Sequence, residues 1–332
     1  QALGPLISCF LQNDRIAGAS YATAWRAVWW YLSIGGFISF ALQAFFLLET
    51  NKAIVGDLSI KPEKWINIAP YTLLIKKQFH WDAPNLQSKA MKKKVNLLRS
   101  LEICLYPEVA IVLFTFGIQF ACWTLNLNAI SSFLTDAPYN YSIKKVAYIY
   151  LAPGLSGLIG CVLSGRIIDY NYRKEVKIFR EKISSGKIPA DSTFNIIRAR
   201  LWSSMPQNFC CIIVYCLFGW SIHKHWPIPV TVVMSALGSY CSMSSLAYCS
   251  SLLCTLFPLE TSSANASYNL IRCLLAALFT AVFDKMNKSI TVGGTFSLLC
   301  GLMFVLNIIM YIPMYRGMQW IEKRERKLSQ KA

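Results

Sequence analysis

Few side chains in the apolar stretches of this chain are equipped for chemistry, and those few recur at helical spacing. Gln119, Trp123 and Asn126 stand at i, i+4 and i+7, so one helix face would carry two amides and an aromatic platform. Asn265, Asn269 and Arg272 repeat that spacing, and Arg272 lies within an otherwise apolar helix, Leu270 to Val282. An arginine at the centre of a membrane helix costs at least about 2.5 kcal/mol, so something polar must receive it. The receivers open to it are a carboxylate, helix carbonyls, water or the anionic group of a bound molecule. Both faces are read as cavity lining. Helix–helix hydrogen bonding is the alternative for the amides, and an ion pair or snorkelling is the alternative for Arg272. Glu108, beside Pro107, is read as solvated at an interface.

Other chemistries lack carriers. The chain has 12 Cys but only 3 His, and no CxxC pair is matched by a second ligand pair. Eleven of the cysteines, from Cys104 to Cys300, lie in or beside apolar runs, where Cys acts as a small hydrophobe. The sequence holds no Walker A loop, no GxSxG elbow and no HExxH. No catalytic residue, metal or cofactor is therefore expected, and a membrane-embedded enzyme would need a cluster of His, Cys or acids that is not visible.

The elements that must position these residues are membrane helices. Of 332 residues 55% are hydrophobic and 15% charged, with mean hydropathy +0.41, against about 45–50% and about 25% in soluble domains. That balance excludes a soluble globular protein and a disordered one. Apolar runs long enough to cross a bilayer cover 27–48, 108–130, 146–168, 206–223, 228–256, 262–283 and 293–315. Residues 1–12 read as the end of another, and Gln1 is not an initiator Met, so the chain is expected to be a fragment lacking earlier spans.

The charge distribution orients these spans. The net charge is +17, with ten Lys/Arg in 51–99, nine in 166–200 and six in 316–332. The alternating segments 131–145, 224–227 and 284–292 are poor in cations. The positive-inside rule makes the basic side cytoplasmic, with the C-terminus on it. The cluster Lys89–Lys94 is read as a solvated loop touching anionic lipid. No nucleic-acid partner is needed to explain the charge.

The expected organisation is 1–50 as the end of one helical half, 51–100 as a central cytoplasmic linker, 101–318 as a six-helix half, and 319–332 as a basic tail. The stretch 169–205 is expected to be a further cytoplasmic loop. In span 146–168, Ser156, Gly160 and Ser164 recur every four residues and would let helices approach closely; packing alone and a rocking interface both fit. Gly165, Arg166, Asp169 and Arg173 close that span with an acid among cations, a pattern suited to a charge lock between helix ends.

Motifs in a fixed order then resemble a family. Gly4-Pro5 resembles the antiporter motif GPxxGG, although Ser8 and Cys9 stand where its last two glycines would be. Trp25-Arg26 with Trp29 is similar to a GWRWxFW pattern, and Leu47-Leu48-Glu49-Thr50 to LPET, with Leu48 for Pro. Gly165-Arg166 through Arg173-Lys174 resembles a second copy of GxxxDxxGR. Phe218-Gly219-Trp220 and Asn265 through Arg272 resemble the ninth- and eleventh-span patterns, and Leu252 to Pro258 resembles LLVDLFP with Thr255 for Asp. Together these resemble the C-terminal two-thirds of a fungal twelve-span drug:proton antiporter of the major facilitator superfamily, of the quinidine-resistance, weak-acid-resistance and dityrosine-transporter type.

The resemblance implies an all-α integral membrane bundle running from the end of span 5 through span 12. It implies a monomer in the lipid bilayer, exporting small organic compounds in exchange for protons by alternating access. The plasma membrane is expected, with vacuolar or spore membrane as alternatives. Gly4, Pro5, Gly165, Arg166, Asp169 and Arg173 would be gating residues. Gln119, Trp123, Asn126, Asn265, Asn269 and Arg272 would line the substrate cavity. The departures at Ser8, Cys9 and Thr255 keep open a non-transporting sensor or a nonfunctional truncated copy.

Overall fold

The computed structural model describes residues 4, 7, 21–50, 52–55, 60–62, 64–74, 98–135, 139–186, 189, 194–258 and 260–329. The chain divides into two compact units, 10–96 on the one hand and 1–9 with 97–332 on the other. The first holds α1 (Tyr21–Phe46), the short α2 (Lys52–Val55), a 3-10 turn (Trp65–Asn67) and α3 (Pro70–Leu74). The large side chains of α1 face outward, with Trp30 69% and Phe37 71% exposed, a surface made for lipid or other helices rather than water. At its end Phe46 meets Tyr71 of α3, ring centroids 5.2 Å apart.

The second unit is an all-helical bundle: α4 (Arg99–Cys104), α5 (Pro107–Thr135), α6 (Ile143–Ile149), α7 (Leu151–Ser184), α8 (Ile196–Leu201), α9 (Ser204–His223), α10 (Ile228–Leu256), α11 (Thr261–Ile309) and α12 (Tyr311–Ser329). Its packing is inverted relative to a soluble protein. On α7 the buried positions are Pro153, Gly157, Gly160, Ser164 and Ile168, whereas Leu155, Leu158, Ile159 and Val162 are exposed. On α10, Ser235, Ser239, Ser242, Ser244 and Ser245 are fully buried while Val233 and Leu237 face out. Small residues inside let helices approach, and large apolar residues outside suit a hydrocarbon solvent. A Cβ at Gly160 would lie 2.6 Å from the Tyr240 carbonyl oxygen, so α7 and α10 touch through backbone there. Ser156 stands off this seam, its Oγ donating to Pro153 O in its own helix.

Helix α11 is two spans in one. Thr291, at φ 65° and ψ 166°, interrupts it, and the chain turns back. Phe283 and Phe296 lie 6.3 Å apart by ring centroid; in a straight helix thirteen residues would separate them by about 19 Å. The limb 261–290 packs on α5, where a Cβ on Gly117 would meet Leu275 and Ile271. The limb 292–309 packs on α9, where Gly219 makes room for Phe296.

Three expectations change. The stretch 284–292 is not a connecting loop: apart from Thr291 it is helical, because its polar residues sit on turns that continue both limbs. The stretch 169–205 is largely helical, since α7 runs on to Ser184 and α8 follows. There Phe194 packs edge-on against Tyr172 and Phe179, giving the charged extension of α7 an apolar seam. Glu108 is not solvated: it is 2% exposed and pairs with Arg324 of α12 at 2.8 Å. A buried carboxylate requires such a partner.

Candidate functional site

The amides of α5 reach into the bundle. Gln119 Nε2 donates to Asn208 Oδ1 of α9 at 2.9 Å, and Asn208 Nδ2 donates to Asn307 Oδ1 of α11 at 2.8 Å. All three residues are buried, so one polar ladder ties three helices together. Its two ends, Gln119 Oε1 and Asn307 Nδ2, are buried without a partner. One face along, Asn126 Nδ2 donates to Ser235 Oγ of α10 at 3.0 Å. Ser242 Oγ lies 2.7 Å from Tyr215 Oη, which also donates to Gly238 O, and reaches Gln119 O at 3.3 Å. The structure thus places Gln119 and Asn126 in interhelical contacts. Trp123, 5% exposed, stands between them with its Nε1 unpartnered.

Arg272 has a different environment. Its guanidinium carbon sits 4.5 Å from the Phe120 ring centroid and 5.7 Å from that of Tyr268. Its Nε is buried without a hydrogen bond, as is Tyr268 Oη. Among the described residues no carboxylate pairs with it; the receiver is the negative face of two rings. Phe120 leads on to Trp123, ring centroids 5.4 Å apart. The structure therefore joins the two predicted faces through Phe120, which sequence spacing did not single out. Asn269 is exposed, and half-buried Asn265 donates to Thr261 O at 3.1 Å within its own helix.

Four of the predicted gating residues, Gly165, Arg166, Asp169 and Arg173, lie on the basic stretch of α7. Asp169 pairs with Arg200 of α8 at 3.4 Å, and the Arg200 guanidinium stacks 4.0 Å over Tyr172. The partner is thus Arg200 rather than Arg166 or Arg173 in the same motif, both of which are exposed. Gly165 has open space where a Cβ would be. Gly4 is exposed, and Pro5 lies outside the described residues.

A second charged cluster escaped sequence spacing altogether. Arg99 bridges Glu102 and Glu260, each at 2.7 Å. Arg99 holds the Glu102 carboxyl below the usual carboxylate range, and the bonds from Glu102 and Glu260 raise the Arg99 guanidinium further. Desolvation is the main cause of the raised Tyr106 phenol. Arg324, the partner of Glu108, is flanked by Tyr106 at 4.4 Å and Phe257 at 5.2 Å. Among the described residues no group of His, Cys, Asp and Glu is arranged to hold a metal ion.

Six helices among the described residues are long and apolar enough to cross a membrane, and one of them, α11, folds back on itself. With lipid-facing leucines and buried serines and amides, they define a multi-pass integral membrane protein. Residues 1–280 match the model of the Major Facilitator Superfamily, and the chain belongs to that family. It is 45% identical over 337 residues to the multidrug transporter AQR1 of Candida glabrata, covering 100% of this chain and 55% of that protein. It is 41% identical over 303 residues to the probable transporter AQR1 of Saccharomyces cerevisiae, covering 90% of this chain and 52% of the relative. With the MFS antiporter QDR1 of Candida albicans the identity is 31% over 297 residues, covering 89% and 58%. The chain spans about half the length of the curated relatives it matches. These fungal relatives agree with the family drawn from the motifs.

Proposed function

We propose that this protein exports small organic compounds, including drugs, weak acids and polyamine- or dityrosine-like metabolites, in exchange for protons by alternating access. It is a transporter and not an enzyme. The relatives' names, multidrug transporter and MFS antiporter, support this reading. The observation that carries it is Arg272, a cation in a membrane helix held by the rings of Phe120 and Tyr268, with Nε unpartnered. Such a group is poised for an anionic or flat aromatic solute, and the neighbouring Trp123 ring for a flat or cationic one. Trp123, Asn265, Asn269 and Arg272 form the cavity wall, while Gln119 and Asn126 hold that wall in place through their bonds to α9 and α10. Gly4, Pro5, Gly165, Arg166, Asp169 and Arg173 serve the gate, with Arg200 added as the partner of Asp169.

In this reading 1–50 ends the first half, 51–100 links the halves, 101–318 is the second half and 319–332 is a tail. The basic end and the C-terminus face the cytoplasm, by the distribution of lysine and arginine. The protein works as a monomer in the plasma membrane. The test is efflux from vesicles carrying the full-length protein, with and without a pH gradient. Efflux that follows the gradient, and falls at least about tenfold in Arg272→Ala while Arg272→Lys retains part of it, is the expected result. Transport indifferent to the gradient rules out antiport. Unchanged transport per folded molecule in Arg272→Ala makes the arginine structural.

A further inference from the structure

Helix α12 follows the last span and is amphipathic. Pro313, Met314, Gly317 and Ile321 are buried along one stripe, while Arg316, Gln319 and Lys323 are exposed. The stripe seats α12 on two different elements. Asn195, the N-cap of α8, donates from Nδ2 to Met314 O at 2.7 Å, and its Oδ1 accepts from Arg198 N. Gly317 faces Ile197 of α8 so closely that a Cβ there would overlap Ile197 Cδ1, and it also approaches Glu108. Two turns further on, the tail reaches Arg324, which pairs with buried Glu108 of α5 beside the rings of Tyr106 and Phe257. One turn on from Ile197, α8 presents Arg200 to Asp169 of α7.

We infer that the Glu108–Arg324 pair is a positioning device for the gate: it ties α12 to α5, which seats α12 against α8 through Gly317 and Met314, and α8 in turn holds Arg200 against Asp169. Three contacts, Glu108–Arg324, Gly317–Ile197 and Arg200–Asp169, are joined in series by the helices α12 and α8 that carry them. A six-residue helix such as α8 has little stability of its own, so the surfaces that flank it fix its place. An ion pair is also a joint that releases when one partner leaves, because the other charge is then stranded in a desolvated site. Glu108 and Arg324 therefore act on the gate through α8, without touching Asp169 themselves. The transport reading is needed only for the turnover part of the test below; the structural part stands without it.

The experiment is backbone hydrogen exchange on the full-length protein in nanodiscs, comparing wild type with Arg324→Gln, Arg324→Lys and Gly317→Ala. Arg324→Gln is expected to speed exchange in 196–201 about tenfold, as well as in α12, leaving α5 and α9 protected. Arg324→Lys keeps the charge and restores most of the protection. Gly317→Ala displaces Ile197 without removing either charge and gives the same signature in 196–201, which keeps the test decisive if the glutamine variant folds poorly. Export by Arg324→Gln is expected to change in turnover with KM held, since the pair lies outside the cavity wall. Faster exchange confined to α12, or protection of 196–201 unchanged in both Arg324→Gln and Gly317→Ala, overturns the inference. A gradient-independent export rate would instead count against the transport reading and leave the clamp standing.

Discussion

Asn208 is the rung on which the buried amide ladder depends, and its replacement by alanine tests what that ladder does. The substitution removes two interhelical bonds and leaves Gln119 Nε2 and Asn307 Oδ1 without partners. Interhelical hydrogen bonds in membrane proteins average about 0.6 kcal/mol each, because the separated helices also find polar partners. The two bonds therefore amount to about 1.2 kcal/mol, close to an eightfold shift in the folding equilibrium. An aqueous-protein value of about 1–3 kcal/mol for each stranded group would give a much larger loss. The ladder already carries two unpartnered ends, Gln119 Oε1 and Asn307 Nδ2, so the smaller value applies. Denaturant unfolding in micelles should show a loss of about 1–2 kcal/mol, with export per folded molecule changed less than about twofold. A loss above about 4 kcal/mol would refute the membrane reference state used for the estimate. Unchanged stability with a raised KM would refute the packing role and return Gln119 to the solute.

Further outcomes follow from local geometry. Gly160→Ala should destabilise the bundle by about 1–3 kcal/mol, because the Tyr240 carbonyl that blocks the new methyl is backbone and cannot swing away; thermal unfolding in detergent measures it. Thr291→Gly should stabilise by about 1 kcal/mol, since relief of a β-branched residue at φ 65° exceeds the added chain entropy of glycine; the denaturant midpoint reports it. The Arg99–Glu102 contact predicts a pH signature. The Glu102 carboxyl is depressed in the fold, so its contribution is complete above the ordinary glutamate value of about 4.3 and is lost as pH falls through its lower folded value. Wild type should lose stability over that acid window, and Arg99→Gln should remove this step while leaving the neutral range flat, as seen in pH-dependent unfolding.

The spans were legible because hydrocarbon solvent writes them as long apolar runs, and 228–256 coincides with α10 end to end. The small-residue spacing of span 146–168 also pointed to a close seam, since Gly160 and Ser164 both lie in it. Sequence could not show Thr291 as the whole break in α11, because Asp284, Lys285 and Lys288 look like a loop whether or not the helix continues beneath them. Glu108 looked solvated because its partner is 216 residues away, and no local pattern encodes such a distance. Spacing grouped Gln119 with Trp123 and Asn126 correctly on one helix, yet it could not reveal whether those amides spend their hydrogens on a solute or on Asn208 and Ser235. Phe120 was passed over because an aromatic in an apolar helix carries no signal until a cation is set against it.

The reversal at Thr291 also bears on biogenesis. One non-helical residue separates its arms, so in the finished fold the pair has almost no connecting chain. A connection this short favours entry of both arms as one helical hairpin, and an epitope spliced beside Thr291 is expected to disturb two crossings at once.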